Sequence, residues 1–133
     1  MEKIDKKMAK ELLKQVSDFL GEVDQGRIQK LLELTDEGGE IVLSHALNAL
    51  YSEYGYNQKT SLAYFRQLRK RIADAAQKAG VEIRLKADSR KRTRPEGRRC
   101  WFEGRNMIKE AVDRHNIDSM VSLKREEVIR PQG

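Results

Sequence analysis

The chain of 133 residues is 38% hydrophobic and 36% charged, with a net charge of +6 and a single cysteine. A chain of this length can bury a core without metal ions, and a single cysteine excludes an internal disulfide. No apolar leader and no run of 18 apolar residues appears, so neither an export signal nor a membrane-spanning helix is expected. We therefore expect one soluble, cytoplasmic domain over residues 1–133.

The positive charge is concentrated in the second half of the chain. Residues 1–60 carry a net charge of −3 and residues 61–133 carry +9, while residues 57–102 alone hold 14 of the 27 Lys and Arg. This asymmetry indicates that one part of the molecule meets a negatively charged partner.

Three amphipathic helices are predicted in the first half of the chain. Apolar residues at every third or fourth position define a helix over residues 5–20, which Gly21 ends. Asp24 is the expected N-cap of a second helix that runs to residue 34, before turn residues 35–39. A third helix is predicted over residues 40–54, and no strand is expected before Asp24.

A fourth helix is predicted to begin at Thr60, its expected N-cap, and to end at Gly80. Leu62, Phe65 and the apolar residues that follow them at helical spacing face the core. At 100° per residue, the opposite face consists of Lys59, Ala63, Arg66, Gln67, Lys70, Asp74 and Gln77.

A hairpin with a long basic tip follows this helix. Residues 81–86 alternate between apolar and charged side chains, which is typical of a strand with one buried face. Residues 88–98 have no period and contain turn residues, and residues 99–103 resume a strand with Cys100 and Phe102 on one face.

A short C-terminal helix is predicted over residues 106–115, with an optional edge strand at residues 120–123 and a mobile tail at 124–133. The expected fold class is α+β and mainly helical, with N-terminal helices followed by a helix, a β-hairpin and the short C-terminal helix.

The segment SLAYFRQLRKRIADAAQKAGVEI and the basic loop and strand after it resemble a winged helix-turn-helix DNA-binding domain. The effector domains of bacterial response regulators are of this kind. The resemblance covers residues 26–103, with the predicted helices at 26–35 and 40–54 in the two preceding positions. It implies a recognition helix in a major groove and a hairpin along the backbone. Residues 1–22 are then an added helix, suited to homodimerisation or to docking a protein partner.

The residue types themselves support nucleic-acid binding. Arg66 and Gln67 can pair with base edges, and an exposed helix N-terminus near Thr60 favours a phosphate. The basic loop can neutralise several phosphates. The predicted contact residues are Lys59, Thr60, Arg66, Gln67, Lys70, Arg90, Lys91, Arg92, Arg94, Arg98 and Arg99.

Other candidate sites have simpler interpretations. Trp101 could stack on a base but is expected to pack, the four tyrosines are expected to form an aromatic cluster in the core, and Cys100 is expected to face inward rather than react. No zinc ligand set, cofactor motif or catalytic motif is found, so we expect no metal, no cofactor and no enzymatic activity.

The sequence therefore predicts a non-enzymatic protein that binds nucleic acid, with double-stranded DNA favoured over RNA and a role in regulation. The alternative is a helical interaction module, such as an adaptor, an inhibitor or the N-terminal piece of a larger machine, whose basic hairpin docks on an acidic protein. RNA is the third alternative, because arginine-rich loops also read RNA shape. No membrane partner is expected.

Overall fold

The computed structural model of the chain describes residues 1–89 and 97–105. Within these ranges the fold is α+β and mainly helical, as predicted. The predicted helix at 106–115, the edge strand at 120–123, the tail and most of the basic tip lie outside the described residues. The helices are α1 (Lys6–Val16), α2 (Glu22–Leu34), α3 (Leu43–Tyr51) and α4 (Gln58–Ala79), and the strands are β1 (Glu2–Lys3), β2 (Glu40–Val42), β3 (Glu82–Ala87) and β4 (Arg99–Arg105).

Helix α1 begins after Asp5, whose carboxylate accepts a hydrogen bond from the Met8 amide at 2.8 Å. Its apolar stripe is buried, as the sequence predicted. The helix ends at Val16 rather than at residue 20, because the chain tightens there into a 3₁₀ turn, Ser17–Phe19, before Gly21.

Helix α2 begins at Glu22 with Gly21 as its N-cap, so the prediction that Asp24 caps this helix was wrong. Asp24 is buried and binds Arg71 of α4 instead, with its two carboxylate oxygens 2.7 and 3.1 Å from the guanidinium nitrogens. Arg27 lies 3.6 Å from the same carboxylate. A buried carboxylate that is paired in this way ties α2 to α4.

The predicted third helix was wrong in its first three residues, which form strand β2. Asp36 causes the change, because its side chain accepts the Glu40 amide at 2.8 Å and its own amide donates to the Glu40 carbonyl at 2.9 Å. Because this turn closes at Glu40, Ile41 follows in extended conformation within β2, and α3 starts only at Leu43.

Helix α4 begins three residues earlier than a Thr60 cap would place it. Asn57 is the N-cap, and its side-chain oxygen accepts the Thr60 amide at 2.9 Å. The helix ends at Gly80, which has a left-handed φ of +70° and whose amide closes the last turn. This end of the helix was predicted correctly.

The four strands form one antiparallel sheet around β4. Strand β3 pairs along one edge of β4, with Ile83 opposite Gly104 and Leu85 opposite Phe102. Strands β1 and β2 share the other edge, β1 beside Glu103 and Gly104 and β2 beside residues 99–101. The hairpin was predicted, whereas β1 and β2 were not.

The core lies between one face of this sheet and the four helices. Ile83 and Leu85 of β3, with Cys100 and Phe102 of β4, are buried against Phe65 and other apolar residues of the helices. Two glycines allow the chain to approach closely at the sheet. Gly39 has a φ of +84°, and a Cβ there would lie 2.5 Å from the Ile4 carbonyl oxygen, while a Cβ on Gly104 would lie 2.9 Å from the Glu82 carbonyl oxygen.

We predict that Gly39→Ala lowers the free energy of unfolding by at least about 1–2 kcal/mol, because alanine is strained at positive φ and its methyl group meets Ile4. Urea unfolding measures the effect. Gly26→Ala is the matched control, since Gly26 lies within α2 with open space around it, and this change should stabilise the protein by about 0.5–1 kcal/mol. Equal effects of the two substitutions would contradict the packing at Gly39.

Candidate functional site

The outward face of α4 is exposed at every position that the helical periodicity predicted. Lys59, Arg66, Gln67 and Lys70 point to solvent, and we call these four residues the basic face. Within residues 1–89 and 97–105, no carboxylate lies within 4 Å of its three cationic side chains. The charge of this face is therefore not neutralised by the described protein.

The other two arginines of α4 bind groups of the protein itself. Arg71 binds Asp24, and this hydrogen-bonded pair raises the pKa of the guanidinium. Arg69 is half-buried and donates from Nε to the Leu85 carbonyl at 3.0 Å. Burial lowers the pKa of Arg69, and the nearby charge of Arg66 lowers it further. The helix thus separates structural cations from cations that face solvent.

A cavity of about 340 Å³ connects the basic face to the base of the hairpin. Its walls include Lys59 and Arg66 from α4, the apolar side chains of Leu62 and Ala63 between them, and Arg98 from the residue before β4. We call this space the Arg98 cavity. It brings together cations from two elements that were predicted to share one surface.

Arg98 is buried, with only 8% of its surface exposed, although the sequence predicted an exposed loop at this position. Its Nη2 donates to the Asp88 carbonyl at 3.0 Å, but its Nε is buried without a hydrogen-bond partner. The strand alternation explains the burial, because Arg98 has the same parity as the inward-facing Cys100 and Phe102. Extending that alternation back by two residues would have found it.

The hairpin base is fixed by backbone contacts around Arg98. The Asp88 amide donates to the Arg99 carbonyl at 2.9 Å, and the Asp88 carboxylate accepts the Arg99 amide at 2.8 Å. The Arg98 carbonyl accepts the Leu43 amide at 3.0 Å. Arg98 is therefore held between Asp88, which follows β3, and Leu43, the first residue of α3.

The other predicted contact residues that the structure describes do not line this cavity. Thr60 is half-buried in the first turn of α4, where its amide is taken by Asn57. Arg99 lies on the opposite face of the sheet and donates from Nη1 to the Gly97 carbonyl at 3.0 Å. Four predicted contact residues of the tip lie outside the described residues, namely Arg90, Lys91, Arg92 and Arg94.

Trp101 lies half-buried on the outer face of the sheet and has polar partners there. Its Nε1 donates to Glu103 at 3.0 Å, and the Lys3 ammonium lies 5.9 Å from the ring centre. Partial burial opposes ionisation of Glu103, but hydrogen bonds from Trp101 and Arg84 outweigh it and lower the pKa. These contacts agree with the packing role expected for Trp101.

The four tyrosines form one aromatic cluster between α3 and α4. Tyr56 stacks on Tyr64 with ring centres 4.7 Å apart and on Tyr54 at 5.4 Å, and Tyr51 lies 6.0 Å from Tyr64. The core location that was predicted holds for Tyr51, which is buried, but not for Tyr54, which is 52% exposed. The cluster therefore runs from the core to the surface.

Within the described ranges no group of His, Cys, Asp and Glu could hold a metal ion. In the same part of the chain, no helix is both long enough and apolar enough to cross a bilayer. The sole cysteine faces the core, and its burial raises the pKa of the thiol to about 12. The arrangement that these residues offer is thus a positively charged surface with one recessed cavity.

Comparison with known proteins gives one match. The family model of the NACHT N-terminal helical domain 6 matches residues 5–117, which include every described helix and three of the four strands. No curated protein and no solved structure matches the chain.

We predict that Cys100 does not react with Ellman's reagent in the native protein at pH 8. A thiol pKa of about 12 in place of 9.0 lowers the thiolate fraction roughly a thousandfold, and burial excludes the reagent. Absorbance at 412 nm should rise quickly only after guanidinium is added. Equally fast labelling in both conditions would contradict an inward-facing Cys100.

Proposed function

Because the chain belongs to the NACHT N-terminal helical domain 6 family, we propose that it is the non-catalytic recognition module of a NACHT protein and that its basic face binds a polyanion. Double-stranded DNA is the ligand that this surface fits best. The family description supports the position before a NACHT domain, and the surface chemistry supports the ligand.

The single observation that carries the proposal is the division of the α4 cations into those that bind protein groups and those that face solvent. Arg71 and Arg69 have partners within the protein, whereas Lys59, Arg66 and Lys70 share one exposed face and have no described carboxylate within 4 Å. Uncompensated like charges on one helix face repel one another, and a polyanion removes that cost. This division of the cations is what we expect of a surface that binds a negatively charged ligand.

The shape of the surface suits a duplex. Helix α4 has 22 residues, which corresponds to about 33 Å, and an α-helix fits the major groove of B-DNA. Arg66 can form two hydrogen bonds to a guanine edge, and Gln67 can do the same with adenine. The hairpin follows α4 directly, as in the winged-helix layout that the sequence resembles, so its basic tip is the proposed contact with the backbone.

The chemistry of the described residues also favours binding over catalysis. Asp24, the buried carboxylate, is neutralised by Arg71 and lies next to Arg27. Cys100, the sole thiol, stays protonated because it is buried. Neither group is placed to act as a general base or a nucleophile.

An acidic protein surface is the second candidate ligand for the same basic face. The family description favours it, because a helical domain beside a NACHT domain has a neighbouring protein surface within reach. The candidates are separated by titrating the full chain with random duplex DNA and with hairpin RNA over a salt series, with a sample that contains no nucleic acid as the blank. Binding to the duplex with a steep salt dependence supports the proposal. A preference for the hairpin RNA would make RNA the ligand in place of DNA. If neither nucleic acid binds, the acidic protein partner is favoured.

We predict that Arg66→Gln combined with Lys70→Gln weakens duplex binding at all sequences. Each positive charge removed from the DNA-binding surface lowers the slope of log K against log salt by about 0.9, so the slope should fall by nearly 2. Fluorescence anisotropy with a labelled duplex measures both quantities. Lys10→Gln is the control, because Lys10 is an exposed cation on α1, away from the basic face, and should leave the slope unchanged. The same loss with Lys10→Gln would show a non-specific charge effect and would contradict the assigned surface.

We also predict that Arg66→Lys changes sequence preference while largely keeping affinity for random DNA. Lysine retains the charge but loses the planar fork that forms two bonds to guanine, a difference of about 1–3 kcal/mol at one base pair. Selection from a randomised duplex pool before and after the substitution measures it. Identical selected sequences would place Arg66 on phosphates rather than on bases.

A further inference from the structure

We propose that the Arg98 cavity is a binding site for a single phosphate group. The inference deepens the proposed function, since within that function the phosphate belongs to the backbone of the bound duplex. The cavity itself is defined by protein contacts that do not depend on the source of the phosphate.

The first argument is the unsatisfied state of Arg98. The residue is more than nine-tenths buried, its Nε has no hydrogen-bond partner, and no described carboxylate lies within 4 Å of its side chain. A buried cation costs free energy unless an anion or several acceptors compensate for it. Asp88 supplies one carbonyl to Nη2, but its carboxylate is used by the Arg99 amide.

The second argument is that two other cations line the cavity together with Arg98. Lys59 and Arg66 lie seven residues apart on α4, two helical turns, and line the same space. Leu62 and Ala63 lie between them and offer no acceptor side chain. Three cations surround an apolar wall, which strengthens their attraction for an anion because the local dielectric constant is lowered.

The cavity is distinct from the two other described cavities. One, of about 470 Å³, is lined by neutral residues of α3, α4 and the turn between them, such as Ser44, Asn48 and Ser61. A third, about 210 Å³, lies between α1 and α2 and has Lys10 and Lys14 at its edge, both exposed. Among these three, the Arg98 cavity alone contains a buried cation.

A phosphate fits this set of donors better than a carboxylate does. Donors reach the cavity from two elements, Lys59 and Arg66 from α4 and Arg98 from the base of β4. A phosphate presents several oxygens in different directions, whereas a carboxylate presents two in one plane. The volume of about 340 Å³ also leaves room for the groups esterified to the phosphate.

The test uses the full chain labelled with ¹⁵N, in which the Arg98 Nε–H signal is followed by NMR as inorganic phosphate is added at constant ionic strength. We expect a saturable shift of that signal, with chloride giving none. Lys59→Gln combined with Arg66→Gln should abolish the saturation without changing the melting temperature in chloride, since both side chains are outside the core. No saturable shift, or an unchanged shift in this double variant, would overturn the proposal.

A second variant separates ligand binding from a structural role of Arg98. We expect phosphate to raise the melting temperature of the original chain but not that of Arg98→Met. In chloride, Arg98→Met should melt at the same or a higher temperature, because an uncompensated buried charge is removed. A lower melting temperature together with a retained phosphate response would show that Arg98 only supports the hairpin, and would overturn the site.

A duplex titration identifies the source of the phosphate. Arg98→Met should weaken duplex binding about tenfold or more, as expected for loss of a hydrogen bond to a charged group, and duplex should displace inorganic phosphate. Saturable phosphate binding without duplex binding would support the cavity and refute DNA as its source. Duplex binding that is insensitive to Arg98→Met, with no phosphate response, would refute the cavity and leave the proposed function standing.

Discussion

The pairing of β4 with three other strands is the constraint on which the rest of the molecule depends. Strand β3 occupies one of its edges, and β1 and β2 lie end to end along the other. This pairing fixes which residues of β4 face the helices, and it therefore buries Cys100, Phe102 and, by the same alternation, Arg98. The position of a charged side chain in the cavity is thus a consequence of sheet register.

The second organising contact is the ion pair between Asp24 and Arg71, which joins α2 to α4. It fixes the rotation of α4 about its own axis together with the apolar stripe that packs on β3. With Arg71 turned toward Asp24, Arg66, Gln67 and Lys70 lie on the exposed side of the helix. The acidic first half of the chain therefore orients the basic helix without covering its outer face.

Periodicity in the sequence predicted the long elements and the outer face of α4, because helices of 9 to 22 residues and the six-residue strand β3 repeat their pattern several times. It did not predict β1 or β2, which have two and three residues and form only because β4 lies beside them. The caps at Asn57 and Gly21 were missed because neighbouring residues are equally good cap formers. The cationic character of the site was readable from the chain, whereas the burial of Arg98 required the register of the sheet.

The location of β4 so far along the chain also affects how the protein is made. During synthesis, β1, β2 and β3 leave the ribosome before the strand that pairs with all three of them. Until then, the helices can form, but β2 and β3 have no partner strand. Their backbone edges are therefore open to pairing with other chains. Assembly of the sheet is therefore a late, long-range event, and the nascent chain depends on prompt arrival of β4 to avoid aggregation.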